Sequence, residues 1–195
     1  MSVEKVIVPW GSIIDGINKF SASLPKVDYI IALSRGGNIP ATLLSYRLKT
    51  NKIIFITTEL YNPETNVELP EVMIKTTLTK QDISRLNNAK RILIVDDILD
   101  TGATLKAVTE FINSEILHTP EILYFTSIKK PIAKKLVPEI YEKTLSPMTM
   151  NSSSWIVFPW DNEFQEEADK LYKNKPVTDL IDQGFDYPEF INDRY

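Results

Sequence analysis

The alternation of short apolar runs with helix-periodic segments constrains the fold of this chain more than any other feature. The runs are "VDYIIALS" (27–34), "KIIFITT" (52–58), "RILIVDD" (91–97) and "EILYFTSI" (121–128). Continuous β-rich apolar runs of this length are those of strands covered on both faces. The segments "NIPATLLSYRLK" and "GATLKAVTEFINSE" return apolar residues every three or four positions, and the first carries a proline near its start. Strand, helix and strand in repetition predict right-handed βαβ units and a mostly parallel, twisted sheet flanked by helices, an α/β fold. An opening helix is predicted over 12–22, where Ile13, Ile14, Ile17 and Phe20 share a face and Ser12 and Asp15 stand in capping-box spacing.

At 195 residues and 43% hydrophobic content, one well-filled core is expected, and hence a single domain over 1–195. The interval 59–80, "ELYNPETNVELPEVMIKTTLTK", is too long and polar for a plain connection. It reads as an exposed hairpin, as a surface insertion, or as a lid that excludes water.

Composition removes several chemistries. The chain has no cysteine, so it has neither a thiol nucleophile nor a thiolate metal site. Its one histidine, His118, falls in a connection between predicted helix and strand, without partners for a triad or a histidine metal site. A net charge of -4 without a basic stretch argues against nucleic-acid binding. No apolar run approaches the length of a membrane span and no leader is evident, so a cytoplasmic protein without membrane contact is expected.

Ligands of parallel sheets gather beyond the carboxyl ends of the strands, and two unusual turns fall there. In "RILIVDDILDTGATL" (91–105), the apolar run ends in Asp96 and Asp97, with Asp100 and a small, hydroxyl-rich turn behind them. A Thr-Gly-Ala-Thr turn entering a helix offers backbone N–H groups, two hydroxyls and a positive helix end, which suits a phosphate monoester. Adjacent carboxylates on a strand face opposite ways, so Asp96 and Asp97 reach different neighbours at its frayed end. One could take a vicinal diol, since carboxylates accept hydroxyl hydrogen bonds well; the bland alternative is a turn cap or a lysine pair. "SRGG" (34–37) supplies a cation and two glycines at another helix start, an anion cradle matched to a diphosphate that shares its charge with Mg²⁺.

With "ILIVDDILDTGAT" on the page, the chain resembles the type I phosphoribosyltransferases, whose signature is a hydrophobic strand, two acidic residues and a "DTGxT" or "xTGxT" loop. The aspartate before "TG", here Asp100, is the form found in 6-oxopurine members. "IIALSRGGNIPATLLSYRL", "SIKKP" and "SWIVFPWD" are similar to the bacterial xanthine-guanine branch, in the same order, from about Val6 to Asp161. The resemblance implies a Rossmann-like fold with a core over about 6–150, and a small hood with a C-terminal extension over about 151–195.

It further implies transfer of the 5-phosphoribosyl group from phosphoribosyl pyrophosphate to guanine, xanthine or hypoxanthine, with Mg²⁺ as cofactor. Asp96 and Asp97 would hold the ribose hydroxyls, directly or through the metal. The loop Asp100, Thr101, Gly102, Ala103 and Thr104 would hold the 5′-phosphate, and Arg35 and Gly36 the pyrophosphate, in a turn that in this family is often strained or cis. Lys130 would contact O6 of the purine, Trp155 would stack on its ring, and the Ile156 backbone would face the 2-substituent. Asp100 would manage the proton on the base, and Asp161 would be a further metal contact.

Lys130 otherwise reads as one more solvated lysine beside Lys129, Lys134 and Lys135, and Trp155 as a core tryptophan. A phosphoribosyltransferase for another base and a non-catalytic sensor of phosphoribosyl pyrophosphate are the competing functions. A homo-oligomer, dimer or tetramer, is expected. The segment 162–175 reads as a helix, and the acidic, aromatic tail after it as packing over the hood, mediating a subunit contact or being partly disordered, its aromatics favouring docking.

Overall fold

The computed structural model describes residues 5–61, 68–164 and 166. Most of the helix predicted over 162–175, and all of the tail after it, lie outside the described residues. In chain order the elements begin with β1 (Lys5–Ile7), α1 (Trp10–Ser21), β2 (Tyr29–Ser34), α2 (Asn38–Arg47), β3 (Ile53–Tyr61) and β4 (Glu68–Ile74). They continue with α3 (Lys80–Asn87), β5 (Arg91–Leu99), α4 (Ala103–Glu115) and β6 (Glu121–Lys129). Last come α5 (Ile132–Leu136), α6 (Pro138–Lys143), β7 (Thr144–Leu145), β8 (Met148–Thr149) and β9 (Trp155–Val157).

These residues form two compact units, 13–153 and a smaller one of 5–12 with 154–164 and 166. In the larger unit the sheet order is β4-β3-β2-β5-β6-β7, with β8 also paired to β6. The β2–β3, β2–β5 and β5–β6 pairs are parallel, as the apolar runs predict. From β2 the chain passes through α2 to β3, and from β5 through α4 to β6, on the opposite side. The order therefore reverses between β2 and β5, which leaves a crevice beyond their carboxyl ends.

Both sheet faces are covered. Ile31, Leu33, Ile92 and Ile94 join Leu86 of α3 and Leu105, Val108 and Ile112 of α4 in one buried cluster. Alternation turns Ile30, Ala32, Leu93 and Val95 to the other face, where α2 packs on β2 and β5 with Ala41 and Leu44 fully buried.

Three local expectations change. Helix α1 starts at Trp10, so Ser12 lies inside its first turn and caps nothing. Strand β5 does not fray at the aspartates: it continues to Leu99, with Ile98 and Leu99 paired to Ile128 and Lys129. Helix α3 follows the polar interval and was not expected, although "TKQD" carries its start signal: Thr79 Oγ1 accepts the Asp82 N–H at 3.1 Å, and Asp82 accepts the Thr79 N–H at 3.3 Å. The interval before it is a hairpin, β4 antiparallel to β3, with Thr58 opposite Ile74 and Glu59 opposite Met73. Residues 62–67, on which the lid expectation turns, lie outside the described residues.

In the smaller unit β1 and β9 pair in parallel, Lys5 with Trp155 through Ile7 with Val157. Its aromatic cluster stacks Phe158 on Trp160 at 4.9 Å between centroids, with Trp10 edge-on to Trp160 at 5.7 Å. Among the described residues no helix is long and apolar enough to cross a membrane.

At the amino ends of the central strands, Asp28 Oδ2 accepts the backbone N–H groups of Lys90 and Arg91, at 2.7 and 3.0 Å. These bonds hold its carboxyl below the usual range, so the stabilisation is present above the unfolded value and is lost as pH falls through the folded one. Asp28→Ala is expected to cost about 1–2 kcal/mol in urea unfolding at pH 7, and the difference should shrink in acid below the ordinary carboxyl value.

Candidate active site

The two turns singled out in the sequence meet in the larger unit because β2 and β5 are direct neighbours, with Tyr29 beside Ile92 and Ala32 beside Val95. The turn after β2 contains a cis peptide between Ser34 and Arg35. Gly36 then lies against the Asp97 carboxylate, so closely that an added Cβ would collide with it. Gly37 is as crowded, but by backbone: a Cβ there would meet the carbonyl oxygens of Leu33 and Val95. Both glycines are therefore required by close approach. The Gly37 N–H donates to Leu33 O at 2.8 Å, and Ser34 Oγ donates to Asn38 Oδ1 at 2.9 Å, which fixes the turn at the start of α2.

Asp96 and Asp97 reach different neighbours, as alternation requires. Asp97 faces the Gly36 turn, whereas Asp96 is in register with Thr126 of β6 and accepts the Asp97 N–H on Oδ1 at 2.9 Å. Burial, and next the charge of Asp97, push the Asp96 carboxyl well above its ordinary value. Ionising both members of such a pair is unfavourable without a hydroxyl donor or a cation beside them.

The loop from Asp100 to Thr104 links β5 to α4. Gly102 takes a left-handed φ of 88°, the backbone conformation that lets the chain turn from strand to helix. No side chain caps the start of α4 or of α2. The helix-start N–H groups beside Thr101, Ala103 and Thr104 are thus arranged as an anion cradle would be, with the Ala103 N–H making one long bond, 3.4 Å, to Thr101 Oγ1.

Lys130 is not the solvated lysine of the bland reading. Its side chain is 6% exposed, and Nζ donates to Asp100 Oδ2 at 2.7 Å, while Asp100 is 48% exposed. The Lys130 N–H is held by Leu99 O at 2.9 Å, so the continuation of β5 past the aspartates is what carries the lysine to the loop. A cation fixed beside a half-open carboxylate offers a donor and an acceptor to the edge of one planar heterocycle.

The smaller unit carries the remaining expected residues. Trp155 is 49% exposed, which removes the core-tryptophan alternative, and its Nε1 donates to Glu163 at 2.9 Å. Ile156 is buried and paired with Val6. Asp161 closes a turn by accepting the Phe158 N–H at 2.8 Å. Sequence reading missed two residues: Thr126 and Ser127, fully buried hydroxyls on β6 beside the acid pair, whose signal is two polar residues in the apolar run "YFTSI".

In a doubly wound sheet ligands bind beyond the carboxyl ends of the strands at the switch point, where this chain places its acid pair and helix-start loop. The chain belongs to the phosphoribosyl transferase domain family, whose profile matches residues 7–167, and its fold is that of the type I members. It is 28% identical to the xanthine-guanine phosphoribosyltransferase of Idiomarina loihiensis over 71% of this chain and 74% of that protein. To the protein of the same name from Chromohalobacter salexigens it is 28% identical over 81% of this chain and 85% of the other. A purine phosphoribosyltransferase crystal structure from Pyrococcus horikoshii superposes with a TM-score of 0.62 at 30% identity, covering 81% of this chain and 94% of that one.

The two glycines should fail differently. Gly36→Ala displaces the movable Asp97 carboxylate and is expected to weaken ligand binding about 10-fold with little loss of stability, whereas Gly37→Ala meets backbone and should cost about 1–3 kcal/mol. Calorimetric titration with phosphoribosyl pyrophosphate and thermal melts of both variants distinguish the two effects. A second prediction concerns Asp96. Because its folded value is raised, the ionised carboxyl destabilises the ligand-free protein as pH rises from the unfolded value through the folded one. Asp96→Asn should therefore raise the melting temperature near neutral pH, with the gain vanishing in acid below the ordinary carboxyl value.

Proposed function

We propose that this phosphoribosyltransferase transfers the 5-phosphoribosyl group of phosphoribosyl pyrophosphate to a 6-oxopurine, as in purine salvage. The observation that carries the base assignment is the buried Lys130 held on Asp100 at 2.7 Å. A lysine donor suits a 6-oxo group, and a carboxylate beside it suits a ring N–H; a 6-amino group would meet a donor with a donor.

In this reading the Asp100–Thr104 loop takes the 5′-phosphate, Asp96 and Asp97 take the ribose hydroxyls, and Arg35 with the Gly36 backbone takes the pyrophosphate. A ring nitrogen attacks C1 of the ribose, the bond from C1 to the pyrophosphate oxygen breaks, and pyrophosphate leaves with the electron pair. Asp100 accepts the proton lost by the base, and the acid pair favours positive charge developing on the sugar. Trp155 supplies a stacking face and the Ile156 backbone reads the 2-substituent.

The acid pair also fits Mg²⁺. Its oxygens are hard donors, and the unfavourable ionisation of Asp96 beside Asp97 is the cost that a cation relieves. Among the described residues no group of three or more acidic or histidine side chains could hold a metal ion. When bound, it would shield the charge of the diphosphate. Asp161 is retained only as a candidate further contact.

Product formation should be assayed with phosphoribosyl pyrophosphate and Mg²⁺ against guanine, xanthine, hypoxanthine, adenine, uracil and orotate. Turnover is expected with one or more 6-oxopurines, reduced about 10²–10⁴-fold in Asp100→Asn. Lys130→Met should raise KM for the base and leave KM for phosphoribosyl pyrophosphate nearly unchanged. Binding of phosphoribosyl pyrophosphate without turnover of any base would overturn the catalytic reading in favour of a sensor, and turnover of adenine, uracil or orotate alone would overturn the base assignment.

A further inference from the structure

Strand β6 carries an expensive feature behind the acid pair. Thr126 and Ser127 are both 0% exposed, and among the described residues neither hydroxyl has a hydrogen-bond partner. A buried hydroxyl without a partner is destabilising, and valine or alanine would fill the same space without that cost. Two in succession, in an otherwise apolar strand interior, are unexplained by packing.

Their register supplies the explanation. Asp96 is paired with Thr126, and Ile98 with Ile128, so Asp97 runs beside Ser127. Partners on parallel strands project to the same face, with strands about 4.8 Å apart. Each orphan hydroxyl is therefore carried at the register position beside one member of the acid pair, while in the ligand-free protein the Asp97 carboxylate lies against Gly36. Within the pair the Asp97 N–H donates to Asp96 Oδ1 at 2.9 Å, and an ionised carboxylate accepts several hydrogen bonds.

We infer that Thr126 and Ser127 are positioning residues for the acid pair, supplying the hydroxyl donors that fix Asp96 and Asp97 when these carboxylates engage the vicinal diol of the ribose. The inference rests on the proposed function, which gives the acid pair that ligand. The hydroxyls touch neither substrate nor reacting atom. They act through the carboxylates, as groups behind a ligand-binding carboxylate commonly do, where loss of such a group typically weakens binding about 10–100-fold.

Thr126→Val keeps the shape and removes the hydroxyl. Since no bond is lost in the ligand-free protein, its melting temperature should equal or exceed that of wild type. Its Kd for phosphoribosyl pyrophosphate with Mg²⁺, by calorimetry, should rise about 10-fold, with KM for the base unchanged, and Thr126→Ser should restore binding. Ser127→Ala should act in the same direction. In a double-mutant cycle, Thr126→Val should add little to Asp96→Asn. Wild type that binds phosphoribosyl pyrophosphate beside a folded Thr126→Val that binds it equally well would overturn this inference alone. A Thr126→Val that melts lower and is not rescued by serine would assign the hydroxyl a structural role and overturn it too. Wild type that does not bind phosphoribosyl pyrophosphate would remove the proposed function and this inference with it.

Discussion

Everything at the site depends on how closely the backbone after β2 approaches the end of β5. Parallel hydrogen bonding brings the two strands side by side, and the glycine pair lets the following turn lie directly on the Val95 carbonyl and the Asp97 carboxylate. Because the chain departs to opposite sides from these two strands, no crossover covers the gap beyond them. The crevice is thus a product of strand order, and the glycines let the turn after β2 approach β5 beside it. A helix start borders it from each strand, so its positive ends converge without needing a lysine-rich surface.

The parts of this arrangement that follow from period and punctuation were legible in the sequence. Continuous apolar runs announced doubly covered strands, and "SRGG" and "DTGAT" announced turns at their carboxyl ends. What could not be read was set by partners distant in the chain. β5 appeared to fray at Asp96 because two charges end its apolar run, yet β6 keeps it paired to Leu99. Lys130 looked like one of several solvated lysines, because nothing local distinguishes it; its burial follows from the bond between its N–H and Leu99 O. Helix α3 had a readable cap in Thr79 and Asp82, but a short and mostly polar body, with only Ile83 and Leu86 apolar, hid it.

The site is also where the molecule departs from the rules its core obeys. The interior is aliphatic and paired throughout the central strands, whereas Asp96 is a carboxyl held against its preference for charge, and Lys130 is buried on a single carboxylate. Such local conflicts cost stability, and they are concentrated at the carboxyl ends of β5 and β6 rather than spread along the sheet. At the amino ends the same strands show the opposite: Asp28 gains two backbone donors and anchors β5 beside β2. One end of the sheet is built for cohesion and the other for chemistry.

The placement of the aromatic cluster has an optical consequence. The chain has three tryptophans, and Trp10, Trp155 and Trp160 all belong to the smaller unit. Indole emission from this protein arises in that unit, whereas the acid pair belongs to the other. A fluorescence melt and a circular-dichroism melt of the same sample follow different parts of the molecule, and any gap between their midpoints measures how far the two units unfold separately.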